Sequence, residues 1–253
     1  MAQTAEKLKG IIFDKDGTLF DYAQVWEDVL KEGIDKTFTS MGRKEHHKAK
    51  SAMLTLMGID EQGKCLPKGL VFTHRPARIL RRFLVYCLRY RVNAIKAIRG
   101  YHQSVKNSEV LLTEKLRKMD FTIQQTLFRK LKEAGYAIGI ITNDNDSSTA
   151  LFLSLMGLEQ MVDFVSSRDS HYRRKPHPEA FQTFCSKAGL NTSEVAMVGD
   201  TITDMLFAKR SKAGYTVAVL TGSNDRKRLK PISDVIYADV SALLQDKRIF
   251  PSH

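Results

Sequence analysis

Three cysteines in 253 residues are too few for a disulfide scaffold, and Cys65, Cys87 and Cys185 show no metal-ligand spacing. Their odd number suits reduced thiols, and we read all three as packing residues of a cytoplasmic chain. No uncharged apolar run approaches the ~20 residues needed to cross a bilayer. Residues 1–9 have no apolar stretch of the kind a secretory leader carries. Internal repeats and low-complexity segments are missing too. Acidic charge is scarce, with 28 Asp and Glu against 40 Lys and Arg, a formal net charge of +12. The rest is ordinary for a soluble globular protein, 43% hydrophobic and 27% charged, and long enough for one large domain or two small ones.

The basic excess is concentrated. Residues 21–130 hold 22 basic against 11 acidic side chains, whereas the remainder holds 18 against 17. The same stretch shows no convincing strand and several helical patterns. Helices are expected over 22–39 and near 49–57, with a loop over 58–69. A long helix is expected from Pro76 through Ile79, Leu80, Phe83, Leu84, Cys87, Leu88, Val92, Ile95 and Ile98, and the pattern continues over 105–119. Outside this stretch strands alternate with helices, as a doubly wound parallel α/β sheet requires. Strands are expected over 8–13, 136–141, 164–166, 195–198, 215–220 and 235–236. Helices are expected over 121–134, 147–156, 178–188 and 204–213, with a last one starting at 240. The change of texture marks a domain boundary.

The chain is organised around residues 8–20. A short apolar run, β-branched at its centre, stops at Asp14-Lys15-Asp16-Gly17. Ligand sites in open parallel sheets lie at the carboxyl ends of strands, so Asp14 and Asp16 belong there. Two neighbouring acids repel, and burying them is costly unless a cation or a shared proton compensates. A hard ion such as Mg2+ resolves that conflict with oxygen ligands. An Asx-rich turn is the plain alternative for this motif alone. Three later segments also end in polar residues: Thr142-Asn143, Lys175 within Arg174-Lys175-Pro176-His177-Pro178-Glu179, and Asp200-Thr201-Ile202-Thr203-Asp204.

In these four segments and their order the chain resembles the haloacid dehalogenase superfamily, over residues 8–22 and about 131–222, and most closely its phosphoglycolate phosphatase-like branch. The resemblance implies a Rossmann-like catalytic core, residues 1–20 and 119–253, with an inserted C1-type helical cap over 21–118. It implies a Mg2+-dependent phosphatase of small phosphorylated metabolites. Asp14 would be the nucleophile that forms an aspartyl-phosphate, and Asp16 the general acid and then base. The dehalogenase and phosphonatase branches lack an Asp at the second position, so Asp16 favours a phosphate ester. Thr142 and Asn143 would hold phosphoryl oxygens, and Lys175 would set a point charge against Asp14 and the phosphate. Asp14, the Asp16 backbone carbonyl and Asp200 would bind Mg2+, with Asp204 orienting ligands; alone, Asp204 also reads as a helix first-turn acid. Relatives usually return from cap to core through Pro-Gly; here Asp120-Phe121-Thr122 stands in its place.

The shared core signature leaves open a sugar-phosphate phosphatase, a pyrophosphatase or a β-phosphoglucomutase-like phosphomutase. A non-enzymatic alternative makes the basic insert a docking surface for nucleic acid or an anionic membrane, nucleic acid being the less favoured. The complete set of key side chains argues against a scaffold without catalysis. Oligomeric state stays open. His46, His47, His74, His102, His171 and His177 show no metal-ligand pairing. Asp21 reads as a cap, Phe20 and Trp26 as core, and the arginines from Arg75 to Arg99 as a solvated helix face.

Overall fold

The apolar run before Asp14 is strand β1 (Gly10–Phe13) in the computed structural model, which describes residues 6–42, 46–66, 68–70, 76–106 and 109–251. Its four residues are buried, and the strand lies inside a sheet of order β3-β2-β1-β4-β5-β6. The other strands are β2 (Ala137–Ile141), β3 (Phe164–Ser166), β4 (Val195–Gly199), β5 (Tyr215–Val219) and β6 (Val235–Tyr237). Every pairing is parallel. In register, Phe13 faces Ile140 on one side and Val198 on the other. The residues just past β1, β2 and β4 therefore share one edge. The chain order reverses between β1 and β4, which in such sheets is where ligands bind.

By contacts the chain divides into two compact units, Met1–Asp21 with Met119–His253, and Tyr22–Lys118. The sheet unit buries Ile12, Phe181, Phe184, Met197 and Phe207 in one cluster. Phe13 stacks on Phe128 of the helix Thr122–Glu133 at 5.0 Å. Asp120 makes the entry to that helix, its Oδ1 accepting from the Thr122 backbone N–H at 2.9 Å and hydroxyl at 2.5 Å. Such an Asx turn mimics a backbone turn through the side chain. The expected last helix is a 3-10 segment, Val240–Gln245.

The second unit is helical: α1 (Tyr22–Ser40), α2 (His47–Met57), α3 (Pro76–Arg89), α4 (Ala94–Lys106) and α5 (Glu109–Arg117). Its core gathers Leu30, Ile34, Phe38, Met53, Leu54 and Cys87. The single long helix expected from Pro76 through Ile98 is broken. Arg91 adopts φ 53° after α3, the Val92 N–H bonds the Cys87 carbonyl at 2.9 Å, and the Arg91 N–H bonds the Leu88 carbonyl at 3.3 Å. That is a Schellman closure. Asn93 then opens α4, its Oδ1 accepting from the Lys96 N–H at 2.9 Å. The apolar stripe divides as well. Tyr86, Cys87, Val92 and Ala97 turn inward, whereas Leu80, Leu84, Leu88, Ile95 and Ile98 are exposed. The expected loop's Pro67, the basic run Arg43-Lys44-Glu45, His74 and Arg75 lie outside the described residues, as does the side chain of His102.

Candidate active site

Asp14 follows β1 directly, and its N–H donates to the Val198 carbonyl at 2.9 Å, which fixes the backbone at the sheet edge. Lys175 reaches it from the segment between β3 and the helix Glu179–Ala188. The buried Lys175 Nζ lies 2.6 Å from Asp14 Oδ1 and 2.6 Å from Asp204 Oδ1. Asp204 stands in the first turn of the helix Ile202–Ser211, where it completes a capping box with Thr201. Its Oδ2 accepts from the Thr201 N–H at 3.0 Å and hydroxyl at 2.5 Å. One Asp204 oxygen therefore caps the helix, as the first-turn reading has it, and the other meets the lysine.

Asp200 follows β4 and is fully buried. Its Oδ2 accepts from the Ser223 N–H at 2.7 Å, and its Oδ1 from the Thr18 hydroxyl at 3.4 Å. The Ser223 hydroxyl donates to the Asp200 carbonyl. Two glycines make room for this carboxylate. A Cβ at Gly222 would sit 1.9 Å from Asp200 Oδ2, and one at Gly17 would sit 2.7 Å from the Gly222 Cα. Gly17 also has φ +76°, a conformation that side chains rarely adopt.

One carboxylate oxygen each from Asp14, Asp200 and Asp204 lies within 4.8 Å of the others, all three buried. Burial pushes the Asp14 carboxyl up to about 7, with the pull of Lys175 opposing and Asp204 adding to the rise. Burial likewise lifts Asp200 well above the usual carboxylate range, helped by Asp204 and Asp14. For Lys175, burial lowers the ammonium's pKa, but Asp14 and Asp204 outweigh it and the net shift is upward. Three acids thus share one cation. A divalent ion with oxygen ligands would complete the charge balance, and these three carboxylates fit Mg2+. Among the described residues, none of the histidines joins this group.

Thr142 follows β2, buried, its N–H bonded to the Ser166 carbonyl at 2.9 Å and its Oγ1 accepting from the Asp144 N–H at 3.1 Å. The Asn143 side chain clamps the Lys175 backbone, accepting from its N–H at 3.2 Å and donating to its carbonyl at 3.5 Å. Asp16 is tied to a residue that the sequence reading passed over. Lys15, fully buried, sets its Nζ 2.8 Å from Asp16 Oδ2, 2.8 Å from Asp144 Oδ2 and 3.8 Å from the Phe152 ring centroid. Burial works against the Lys15 charge, but the two carboxylates raise its pKa overall. Asp144 is held below the usual range by Lys15 despite its own burial. Phe20 is core, stacked on Phe152 at 4.7 Å, and Trp26 packs in the helical unit. An open cleft of about 820 Å3 on the helical unit, lined by His47, Lys48, Ser51, Arg89 and Tyr90 among others, contains none of these carboxylates.

A family model described as haloacid dehalogenase-like hydrolase matches residues 8–212, which includes every element of this edge up to Asp204. The chain belongs to the haloacid dehalogenase-like hydrolases. Its relatives include the pyrophosphatase PpaX of Bacillus pumilus, 35% identical over 85 residues, 34% of this chain and 39% of that protein. Another is the probable phosphatase IndB of Dickeya dadantii, 31% identical over 109 residues, 43% of this chain and 47% of that protein. These matches thus span less than half the length of the relatives. The crystal structure of a predicted phosphoglycolate phosphatase from Haemophilus somnus superposes with a TM-score of 0.66 at 18% identity. That likeness covers 95% of this hydrolase and 98% of the other chain, and shows the fold.

Proposed function

We propose that this hydrolase is a Mg2+-dependent phosphatase of small phosphorylated metabolites, of the phosphoglycolate-like monoester class, acting through an aspartyl-phosphate on Asp14. The observation that carries the reading is the buried ammonium of Lys175, 2.6 Å from Asp14 at the carboxyl edge of β1, beside the Asp200 and Asp204 carboxylates. A phosphate monoester is an anion that repels nucleophiles, so its hydrolysis depends on positioning and charge neutralisation. Lys175 supplies one positive charge. Asp14, Asp200 and the Asp16 backbone carbonyl would hold Mg2+, with Asp204 orienting its ligands, and the ion would supply the rest when bound.

The steps fall to residues of the chain. Asp14 attacks phosphorus while the ester P–O bond breaks, and Asp16 protonates the departing oxygen. Asp16 then takes a proton from the water that hydrolyses the aspartyl-phosphate. Asp16 enters as the carboxylic acid and is left as the carboxylate between the two steps, and Lys15, 2.8 Å from its Oδ2, keeps the carboxyl group oriented. Thr142 offers its hydroxyl to a phosphoryl oxygen. Asn143 acts twice, offering a backbone N–H to the phosphate and holding the Lys175 backbone in place. Discrimination among substrates is assigned to the inserted helical unit. The names of the matched relatives, a pyrophosphatase and a probable phosphatase, agree with phosphoryl chemistry, and their matched lengths leave the organic part of the substrate to experiment.

The test is a panel of phosphorylated metabolites incubated with the purified protein and Mg2+, reading released phosphate. Release that stops with a chelator and returns with Mg2+ is the expected outcome. Ca2+ should inhibit, since it prefers more ligands and longer bonds. No turnover across the panel, or full activity after exhaustive chelation, contradicts the reading.

A further inference from the structure

Helix α3 shows solvent two kinds of surface at once. At about 100° per residue, Leu80, Leu84 and Leu88 fall within about 80° of arc. These leucines are 56%, 44% and 80% exposed. Arg81, Val85, Arg78 and Arg89 occupy the adjoining arc, and all of them are exposed. Tyr86 and Cys87 lie outside these two arcs, buried in the helical core. Past the turn at Arg91, Ile95 and Ile98 of α4 are again exposed, with Lys96 and Arg99 exposed among them. Residues 76–99 contain seven basic side chains and no acidic one.

Apolar side chains left in water mark a surface that something covers, and the charge selects the occupant. A second copy of this face would set Arg78, Arg81 and Arg89 against the same three arginines, which argues against self-association. Nucleic acid would satisfy the arginines through its phosphates but offers nothing to bury a row of leucines. A bilayer with anionic headgroups meets both demands, taking leucine and isoleucine at the level of the acyl chains and the guanidinium groups at the phosphates. The described helices are not long and apolar enough to span a membrane, so the contact is interfacial. We propose that the exposed face of α3 in the helical unit is a docking surface for an anionic lipid bilayer, with Leu80, Leu84 and Leu88 entering the interface and Arg78, Arg81 and Arg89 meeting the headgroups.

The test is co-sedimentation of the full chain with phosphatidylcholine vesicles, with and without phosphatidylglycerol, across a salt series. Binding should require phosphatidylglycerol and weaken as salt rises. Leu84→Gln with Leu88→Gln should lower affinity about tenfold with little change in the salt slope. Arg78→Glu with Arg81→Glu should lower it about tenfold and flatten the slope. All four positions are exposed, and an unchanged melting temperature checks that each variant is folded. If the leucine variant fails to fold, the arginine variant and the salt series still decide. Failure to bind phosphatidylglycerol vesicles at low salt overturns the proposal, as does binding indifferent to the leucine pair. Concentration-dependent dimerisation abolished by the leucine pair would assign the face to a second copy instead. Binding to duplex DNA or RNA that anionic vesicles do not displace would assign it to nucleic acid.

Discussion

Substituting Gly222 by Ala probes the proposed metal-binding role of Asp200 without replacing any charged group. The new Cβ would stand 1.9 Å from Asp200 Oδ2, whereas ordinary contact begins at 3.4 Å. The difference, 3.4 minus 1.9, requires a displacement of about 1.5 Å. Asp200 cannot swing aside freely, because it is fully buried and its Oδ2 is bonded to the Ser223 N–H at 2.7 Å. Either that bond breaks or the loop after β5 moves away from Gly17. A misplacement on the order of 1 Å costs about a hundredfold in rate, equivalent to about 2.7 kcal/mol of transition-state stabilisation. Overpacking of this kind costs about 1–3 kcal/mol of stability, which lowers the melting temperature by about 2–12 °C in a chain of this size. Steady-state hydrolysis of an aryl phosphate across a Mg2+ titration, with thermal melting in parallel, reads both effects. We expect kcat to fall about a hundredfold and half-saturation by Mg2+ to move to higher concentration. Kinetics within about twofold of wild type, in a folded variant, would remove Asp200 and its glycine cradle from the metal-binding role.

Lys15→Met should cost about 3–5 kcal/mol, because it strands two carboxylates that share one buried ammonium; a melting temperature unchanged by the substitution would show that the ion pairs contribute nothing. Stability should depend on pH through Asp14. Its folded carboxyl titrates near 7 against 3.8 in an unfolded chain, so between those values the folded state binds more protons and loses stability as pH rises. Asp200 shifts in the same direction. Mg2+ replaces those protons, so it should raise the melting temperature more at about pH 8 than at about pH 5, and an equal or reversed response contradicts the site. Arg78→Glu with Arg81→Glu should leave kcat/KM for a small phosphate ester within about threefold, since both side chains are exposed and solvated; a loss of a hundredfold or more would put these arginines in the path of the substrate.

The strands were legible because each is a short apolar run that stops at polar residues, and in a parallel sheet that pattern has one meaning. Asp14, Lys175, Asp200 and Asp204 could be read together for the same reason: each follows a strand or opens a helix. The break between α3 and α4 could not be read. A left-handed closure ordinarily announces itself with glycine, and here Arg91 takes that conformation. Without glycine or proline the apolar periodicity runs straight across the turn, and periodicity alone does not say which apolar positions stay in water. Lys15 is not legible in the sequence because a lysine is usually solvated surface. It is buried only because Asp16, Asp144 and the Phe152 face converge on it, and Asp144 is 129 residues away in sequence. Gly222 and Ser223 do leave a signal in the sequence: Thr221-Gly222-Ser223 follows β5 at the edge where the candidate site residues collect.

The most direct test is the turnover of Asp14→Asn. The substitution replaces one attacking oxygen by an amide of nearly the same size, in a pocket where Lys175 and the Val198 carbonyl hold the residue in place. Phosphate release by the purified, folded variant should fall to background on every ester the wild-type protein hydrolyses. Turnover near the wild-type rate would show that phosphorus is not attacked by Asp14.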